Sequence, residues 1–361
     1  MVVAVMFFLL IGILMGALVL NWAELIVVQR TLQGRADAIA LAATPSLLEP
    51  GVLAGLPPNP SADFLNAESV ADQYRIANNN SGSSTYDVAA SDLTLTAGHL
   101  LNPTLQPTPA NFVAATPYDV LRVDIDRTNA DGHPVTQLIT SFWNMMGTDV
   151  TATSFATVNN RLVGFRPTAA ISAPVLPIAI DKNAWATERT TDSNGNGILE
   201  MEVRLACTVA GEATANGIVI GFNGPVVHAD VINEINNGLS QADLSGPNHE
   251  LGPIDSTMPQ NFPGEQPLTG TFCDDIKNAL SALASPSNAP PRVFPLYEAS
   301  ASSGGNYVVV GFVAARILQV TQDADSVKLI VEPCYLIHTT AWIDDTVTER
   351  NPYIYKLSFL K

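Results

Sequence analysis

The chain opens with MVVAVMFFLLIGILMGALVLNWAELIVVQRTLQGRADAIALAA, residues 1–43, and the fold turns on how this stretch is read. No charged side chain occurs before Glu24, and Met1 to Leu20 are almost wholly apolar. At 1.5 Å per residue, twenty helical residues span about 30 Å, the thickness of a bilayer core. A cleavable signal peptide has a basic stretch ahead of a shorter apolar run, and neither feature is present. The Ala40-Leu41-Ala42 tripeptide resembles a cleavage site but lies beyond Glu24, Arg30 and Arg35. Leu25, Val28, Leu32, Ala36, Ile39 and Ala43 then recur at spacings of three and four, which draws one apolar stripe on a continuing helix. Pro45 stops it. The expectation is one helix over residues 1–45, of about 44 residues and about 65 Å, lipid-like in its first half and amphipathic in its second. Its candidate assembly face is Phe7, Leu10, Ile13, Leu20, Leu25, Val28, Leu32, Ala36, Ile39 and Ala43. Ala36, Ala40 and Ala43 are small enough for close helix–helix approach. Trp22 falls where an interfacial aromatic belongs. Arg30 and Arg35 follow the apolar run and nothing basic precedes it, so the positive-inside tendency would leave the rest of the chain in the cytoplasm. A short basic leader removed from in front of Met1 would reconcile this with export.

The remaining composition narrows the partners. A net charge of −17 with no Lys/Arg cluster repels phosphate backbones, so no nucleic acid is expected as a partner. It suits an exported protein kept soluble by self-repulsion, or one that collects divalent cations. The 25 Pro and 24 Gly point to many turns and short strands. Cys207, Cys273 and Cys334 form no CxxC unit, which excludes zinc-ribbon and thioredoxin readings. Any two of them pair in an oxidising compartment, or all three stay buried thiols, and spacing does not choose.

Beyond the helix, residues 46–62 carry Pro50, Pro57, Pro58 and Pro60 and read as a linker. Ala67, Val70, Ala71, Tyr74 and Ala77 have helical spacing, broken at Asn78-Asn79-Asn80-Ser81-Gly82. Tyr86 to Thr96 reads as strand. Leu121, Val123 and Ile125 alternate with Arg122, Asp124 and Asp126, as in a half-buried strand. A turn at Asp131-Gly132, a helix through Val135, Leu138, Ile139, Phe142 and Met146 ending at Gly147, and a strand over 150–158 complete an α+β domain, residues 63–166. Residues 167–361 read as a β-rich domain, mainly antiparallel. Its expected strands are 198–209, 217–223, 292–297, 307–321, 326–338 and 353–360, with short helices over 229–239 and 273–283. The fold class is therefore α+β: a long N-terminal hydrophobic helix, a small α+β domain and a mainly antiparallel β domain.

One stretch outside the helix has a metal-binding pattern. Asp192-Ser193-Asn194-Gly195-Asn196-Gly197 matches the start of a calcium loop, D-x-[DN]-x-[DN]-G. Calcium takes six to eight oxygens, and alternate side chains on a tight loop supply three. The Ile198 carbonyl adds a fourth. The twelfth position, where an EF-hand has its bidentate Glu, is Val203, so Glu200 and Glu202 are the candidate substitutes. The plain alternative is an Asn/Gly turn between strands. Calcium is the single cofactor expected. No two of His99, His133, His228, His249 and His338 stand at metal spacing, and His249-Glu250 and Asp344-Asp345 read as surface loops. GxSxG, HExxH, P-loop and dinucleotide glycine motifs are absent, so no catalytic residue is expected.

The run Val28-Gln29-Arg30-Thr31-Leu32-Gln33-Gly34-Arg35-Ala36-Asp37-Ala38-Ile39-Ala40-Leu41-Ala42-Ala43 is similar to the Leu-Gln-x-x-Ala-Asp-Ala-x-Ala-Leu-Ala-like signature that follows the apolar helix in TadE/TadG-like proteins of bacterial tight-adherence (Flp-type) pilus systems. Asp119-Val120-Leu121-Arg122-Val123 with Asp149-Val150-Thr151-Ala152-Thr153 extends the resemblance. Pro174 to Ile180, and a fainter echo at Tyr307 to Phe312, carry it further. Larger members often have a von Willebrand A-type domain with an Asp-x-Ser-x-Ser metal motif; here Asp243-Leu244-Ser245-Gly246-Pro247 lacks the second serine, so that adhesion site is not expected. Type IV pilins carry Glu at mature position five, where this chain has Val5. The resemblance implies a helix-anchored protein of the cell surface, linked to adhesion. Its expected role is a structural, non-enzymatic, pilin-like subunit of an extracellular filament. Such a subunit sits in the membrane before assembly and partners copies of itself and the pilus machinery. The second reading is a membrane-anchored accessory protein of a Tad-type assembly system that does not polymerise. The third is a membrane-tethered enzyme or carbohydrate-binding module.

Overall fold

The computed structural model describes residues 2–48, 50–79, 87–101, 111–116, 118–129, 133–135, 147–244, 249–255, 257–285, 288–303 and 305–359. Asn80, Ser81 and Gly82 of the expected break, the turn at Asp131-Gly132 and Leu138, Ile139, Phe142 and Met146 of the expected helix lie outside them. Asn78 and Asn79, expected in that break, instead close the helix Pro60–Asn79, and Val135, expected to be helical, forms an antiparallel bridge with Thr148. The chain has a long N-terminal helix followed by mainly antiparallel sheets and several helices, a mixed α+β fold. It divides into two compact units. One comprises Met1–Leu48, Asn59–Val158 and Leu357–Lys361, the other Glu49–Pro58 and Asn159–Lys356. The division therefore falls eight residues before the expected boundary at 166/167. The reason is β5 (Leu162–Phe165), which pairs antiparallel with Ala341–Ile343 inside the second unit. The Pro-marked stretch 46–62 is not plain linker. It holds the end of a 3-10 turn (Thr44–Leu47), helix α2 (Pro50–Leu53) and the start of helix α3 (Pro60–Asn79).

In the first unit, helix α1 (Val2–Ala43) is unbroken over 42 residues, about 63 Å. No proline interrupts it, and Pro45 enters the 3-10 turn that ends it. Its two halves have opposite surroundings. Phe8 is 73% exposed and Leu20 63%, whereas Val28, Leu32, Ala36, Ala40 and Ala43 are fully buried. The buried half packs with Ala67 and Ala71 of α3 and with Leu121, Val123, Ile125, Ala152 and Ala156 of a sheet. That sheet contains β1 (Leu93–Leu100), β2 (Phe112–Val113), β3 (Val120–Arg127) and β4 (Val150–Asn159), in the order β4-β3-β1-β2, all antiparallel. The C-terminal strand (Ile354–Phe359) adds to β4. Alanines at the α1–α3 contact allow the two backbones to approach closely, as their sizes predict.

Polar groups lock the helix in register. Gln33 Nε2 donates to the Thr153 carbonyl of β4 and to Asp37 Oδ1, each at 2.9 Å. Arg35 donates Nη1 to Asn79 Oδ1 at 3.0 Å and Nη2 to the Asn78 carbonyl at 2.9 Å, satisfying the last turn of α3. Burial lowers the Arg35 pKa, and those acceptors compensate the cation.

The expected assembly face is corrected by this packing. Val28, Leu32, Ala36, Ile39 and Ala43 are core of their own unit and present no surface to another chain. Leu25 is partly buried against the same core. Phe7, Ile13 and Leu20 are exposed. The stripe was read correctly as an apolar face, but the sheet of the same unit covers it.

In the second unit the strands are β6 (Ile178–Asp181), β7 (Met201–Ala206), β8 (Gly217–Ile220), β9 (Gln260–Glu265), β10 (Arg292–Ser303), β11 (Asn306–Gln322) and β12 (Ser326–Pro333). Their order is β10-β6-β8-β7-β12-β11-β9, and β10 also pairs with β11 and β8 with β9. The sheet thus returns on itself, leaving no free edge between β10 and β11. Most pairings are antiparallel; β6–β10 and β7–β8 are parallel. Alternate residues of each strand feed two clusters. Ile178, Val203, Leu205 and Leu329 lie in one, together with helices α6 (His228–Asn237) and α7 (Phe272–Leu283), numbered after the shorter α4 (Lys182–Thr187) and α5 (Val209–Glu212). Ala179, Ile218, Phe312 and Ala314 lie in the other.

Of the three pairings open to the cysteines, the structure has Cys207 bonded to Cys273, with their Cα atoms 5.8 Å apart. The bond ties the segment after β7 to the first turn of α7. Cys334 is free and buried, and burial pushes its thiol up to about 12.

Two outcomes follow from this packing. Leu32→Ala removes fully buried atoms and is expected to cost about 2–5 kcal/mol, while Leu20→Ala changes stability by under ~0.5 kcal/mol. Thermal or denaturant melts in detergent compare them, and equal losses refute the division of α1. Closing a loop of 66 residues confers up to about 4 kcal/mol in the chain-entropy account. The double change Cys207→Ser, Cys273→Ser should therefore lower the melting midpoint, and adding reductant to the unchanged chain should do the same.

Candidate functional site

The Asp-Asn loop lies in the second unit, at the mouth of a narrow hairpin. Thr191 and Glu200 form an antiparallel bridge, and the loop between them turns through Gly195 (φ 73°) and Gly197 (φ 85°), conformations that favour glycine. Asp192 organises it: Oδ1 accepts from the Gly195 and Asn196 amides at 2.8 and 3.1 Å, and Oδ2 from the Gly197 amide at 3.0 Å. Asn194 Oδ1 accepts from the Asn196 amide at 3.1 Å and Asn196 Oδ1 from the Ile198 amide at 2.8 Å. This is the backbone-wrapping pattern of an Asx turn, repeated along the loop.

Two glutamates approach the loop. Glu200, 2% exposed, accepts at Oε1 from the Ser193 amide (3.0 Å) and the Ser193 hydroxyl (2.7 Å). Its Oε2 is buried and has no hydrogen-bond partner. Glu332, also 2% exposed, comes from β12, and its Oε2 accepts from Asn194 Nδ2 and Asn196 Nδ2, both at 2.7 Å. Residue by residue, the structure joins Asp192, Asn194, Asn196 and Glu200 in one place. Ile198 belongs to the loop through its backbone. Glu202 is not part of the group: it pairs with Arg204 two residues along β7. Val203, at the twelfth position, is fully buried in the apolar core. Sequence reading missed Glu332, whose only signal is an acidic residue after the apolar run Leu329-Ile330-Val331 and before Pro333.

No three His, Cys, Asp or Glu side chains stand together as a preformed metal cluster among the described residues. The group at this loop is mixed, with two amides and a backbone carbonyl among its oxygens. The histidines are scattered. His99 contacts the Ala115 carbonyl, His133 contacts Asp92, and His228 stacks on Phe272 with centroids 3.6 Å apart. His249 contacts the Leu244 carbonyl and His338 the Thr340 hydroxyl. Asp344 caps Thr346, and Asp345 accepts from Asn159 and Arg161. Asp243 accepts from the Ser240 amide and hydroxyl as a cap; Ser245, Gly246 and Pro247 of that motif lie outside the described residues.

A shallow cleft in the same unit is lined by Lys182, Trp185, Asp255, Arg350 and Tyr353. Of its two carboxylates, Asp255 and Glu349, the first is already engaged: burial raises the Asp255 pKa, but hydrogen bonds from the Thr257 hydroxyl and amide and the Met258 amide outweigh it and hold the group low.

A scan against family models, a search of curated proteins and a search of solved structures return no match for this chain.

Glu234 on α6 is a third buried glutamate among the described residues, 3% exposed, and its Oε2 also has no hydrogen-bond partner. Burial, then the charges of Asp243 and Asp230, raise its pKa to about 8. A carboxyl raised in the fold binds more protons folded than unfolded, so its stabilising effect is complete below about 4.5 and is lost as pH rises through about 8. The melting midpoint should therefore fall across that window. Glu234→Gln should flatten the fall and raise the midpoint above about pH 8, as read by circular dichroism. An unchanged slope in the variant excludes Glu234 as its source.

Proposed function

We propose that this protein is a structural, non-enzymatic subunit of a pilus-like surface filament, assembled through the exposed half of α1. The observation that carries the reading is the contrast along one helix. Val28 to Ala43 are fixed in the core of the first unit, while the apolar run before them is bare. Among the described residues this is one helix long and apolar enough to cross a membrane. Twenty apolar side chains moved out of water are worth tens of kcal/mol before entropy is subtracted, at about 25 cal/mol per Å². A surface of that size needs lipid or other copies of itself.

In this reading the helix waits in the membrane and then transfers into a filament core, where neighbouring helices replace lipid. Val5, Phe7, Phe8, Ile13 and Leu20 make the contacts between copies. The acidic units face outward, and the pilus machinery is the partner that moves the subunit. The Leu32-Gln33-x-x-Ala36-Asp37 segment supports kinship with TadE/TadG-like proteins, because every member of it has a structural task in the first unit.

Electron microscopy of sheared surface material, with gold-labelled antibody to the second unit, is the test. Labelled filaments are expected. The double change Ile13→Asp, Leu20→Asp should abolish them while leaving the melting midpoint unchanged, since neither side chain is buried. If the protein is found only in detergent-extracted membranes and no filament carries label, the polymerising reading fails. The non-polymerising accessory protein of the same assembly system, anchored by the same helix, then takes its place.

A further inference from the structure

We infer that the loop Asp192–Ile198, closed by Glu200 and Glu332, is a calcium site whose final carboxylates come from the neighbouring strands rather than from the loop's own twelfth position. Two buried carboxylates approach one loop here, and the cation opposite Glu332 on β11, Arg316, forms no ion pair with either among the described residues. Glu200 and Glu332 are each 2% exposed, and neither forms an ion pair among the described residues. The last paired rung of β7 and β12 is Met201 with Val331, and Glu200 and Glu332 are the residues just beyond it on the two chains. Burying carboxylates without a charged partner costs far more than leaving them at a surface.

Glu200 supplies the pointer to a ligand. Its Oε1 is fixed by Ser193, the second residue of the loop, so the carboxyl faces the loop, yet Oε2 is buried and unpartnered. Glu332 reaches the same loop from the other strand and receives the amides of Asn194 and Asn196, the third and fifth positions of the motif. Those two N–H donors are weak counter-charges for a buried anion. A divalent cation in their place would neutralise both carboxylates at once. Rotation of the amides about their terminal bonds then presents Oδ1 of each asparagine to it.

The donor set suits calcium. Asp192, Asn194, Asn196, the Ile198 carbonyl, Glu200 and Glu332 offer six or more hard oxygens, three of them from carboxylates. There is no thiolate or imidazole to favour zinc or copper. Three negative charges on a partly open loop predict affinity at the weak end of the calcium range, Kd about 10⁻⁴–10⁻³ M, as for extracellular modules. The inference is independent of filament assembly, since every ligand lies within the second unit.

The full-length chain in detergent, stripped with a chelator and dialysed, is titrated with calcium chloride by calorimetry, and its melting midpoint is followed with and without calcium. One site and a rise in midpoint are expected, with magnesium at least tenfold weaker. Asp192→Asn, at an exposed position, and Glu332→Gln should each lower calcium affinity at least tenfold. Glu202→Gln should leave it unchanged. Absence of both heat and midpoint shift in the unchanged chain at about 10 mM calcium, ten times the upper Kd, overturns the site. A loss in Glu202→Gln equal to that in Asp192→Asn overturns the assignment of the closing carboxylates.

Discussion

One rod has to satisfy two surroundings. Helix α1 runs without a break from an apolar stretch that is exposed among the described residues into a stretch that forms the core of its unit. Its second half supplies most of one wall of the first unit: β3 and β4 lay Leu121, Val123, Ile125 and Ala156 against it, and α3 closes over it with Ala67 and Ala71. Without that half, the sheet's apolar face would be bare. The first half is consequently held as an extension of a folded body rather than as a flexible tail, so that covering it with any apolar surroundings would cost less entropy.

The polar residues of the buried half explain why an amphipathic stripe alone would not suffice. Apolar packing is non-directional and tolerates sliding by a turn. Gln33 to the Thr153 carbonyl and Arg35 to the end of α3 are directional and occur at one register only. The Leu-Gln-x-x-Ala-Asp pattern therefore alternates residues that bury area with residues that fix position.

How much of this was legible in the chain follows the same division between local and distant causes. Length and hydropathy announced α1, and Pro45 its end. Apolar runs placed strands over β11 and β12, and short helices were expected where α6 and α7 lie. Three things were hidden. The stripe from Val28 to Ala43 declares an apolar face but not whose surface covers it. Strand β9, Gln-Asn-Phe-Pro-Gly-Glu, has a proline and a glycine where alternation should be, and pairing with β8 and β11 imposes its conformation. Glu332 stands 138 residues from Asn194, so only the pairing of β7 with β12 brings it to the loop. The cysteine pair was equally non-local, set by where α7 starts relative to the end of β7.

The continuity of α1 also has a mechanical meaning. A pull along the axis of its bare half is carried through an unkinked backbone into the contacts from Val28 to Ala43. Those contacts lie side by side along the direction of the pull, so the load is shared among them in shear and they cannot be peeled away one at a time. Gln33 and Arg35 act as cross-pins against slippage. A body built on this helix resists extraction lengthwise far better than it would resist prying sideways at Pro45, where the rod ends.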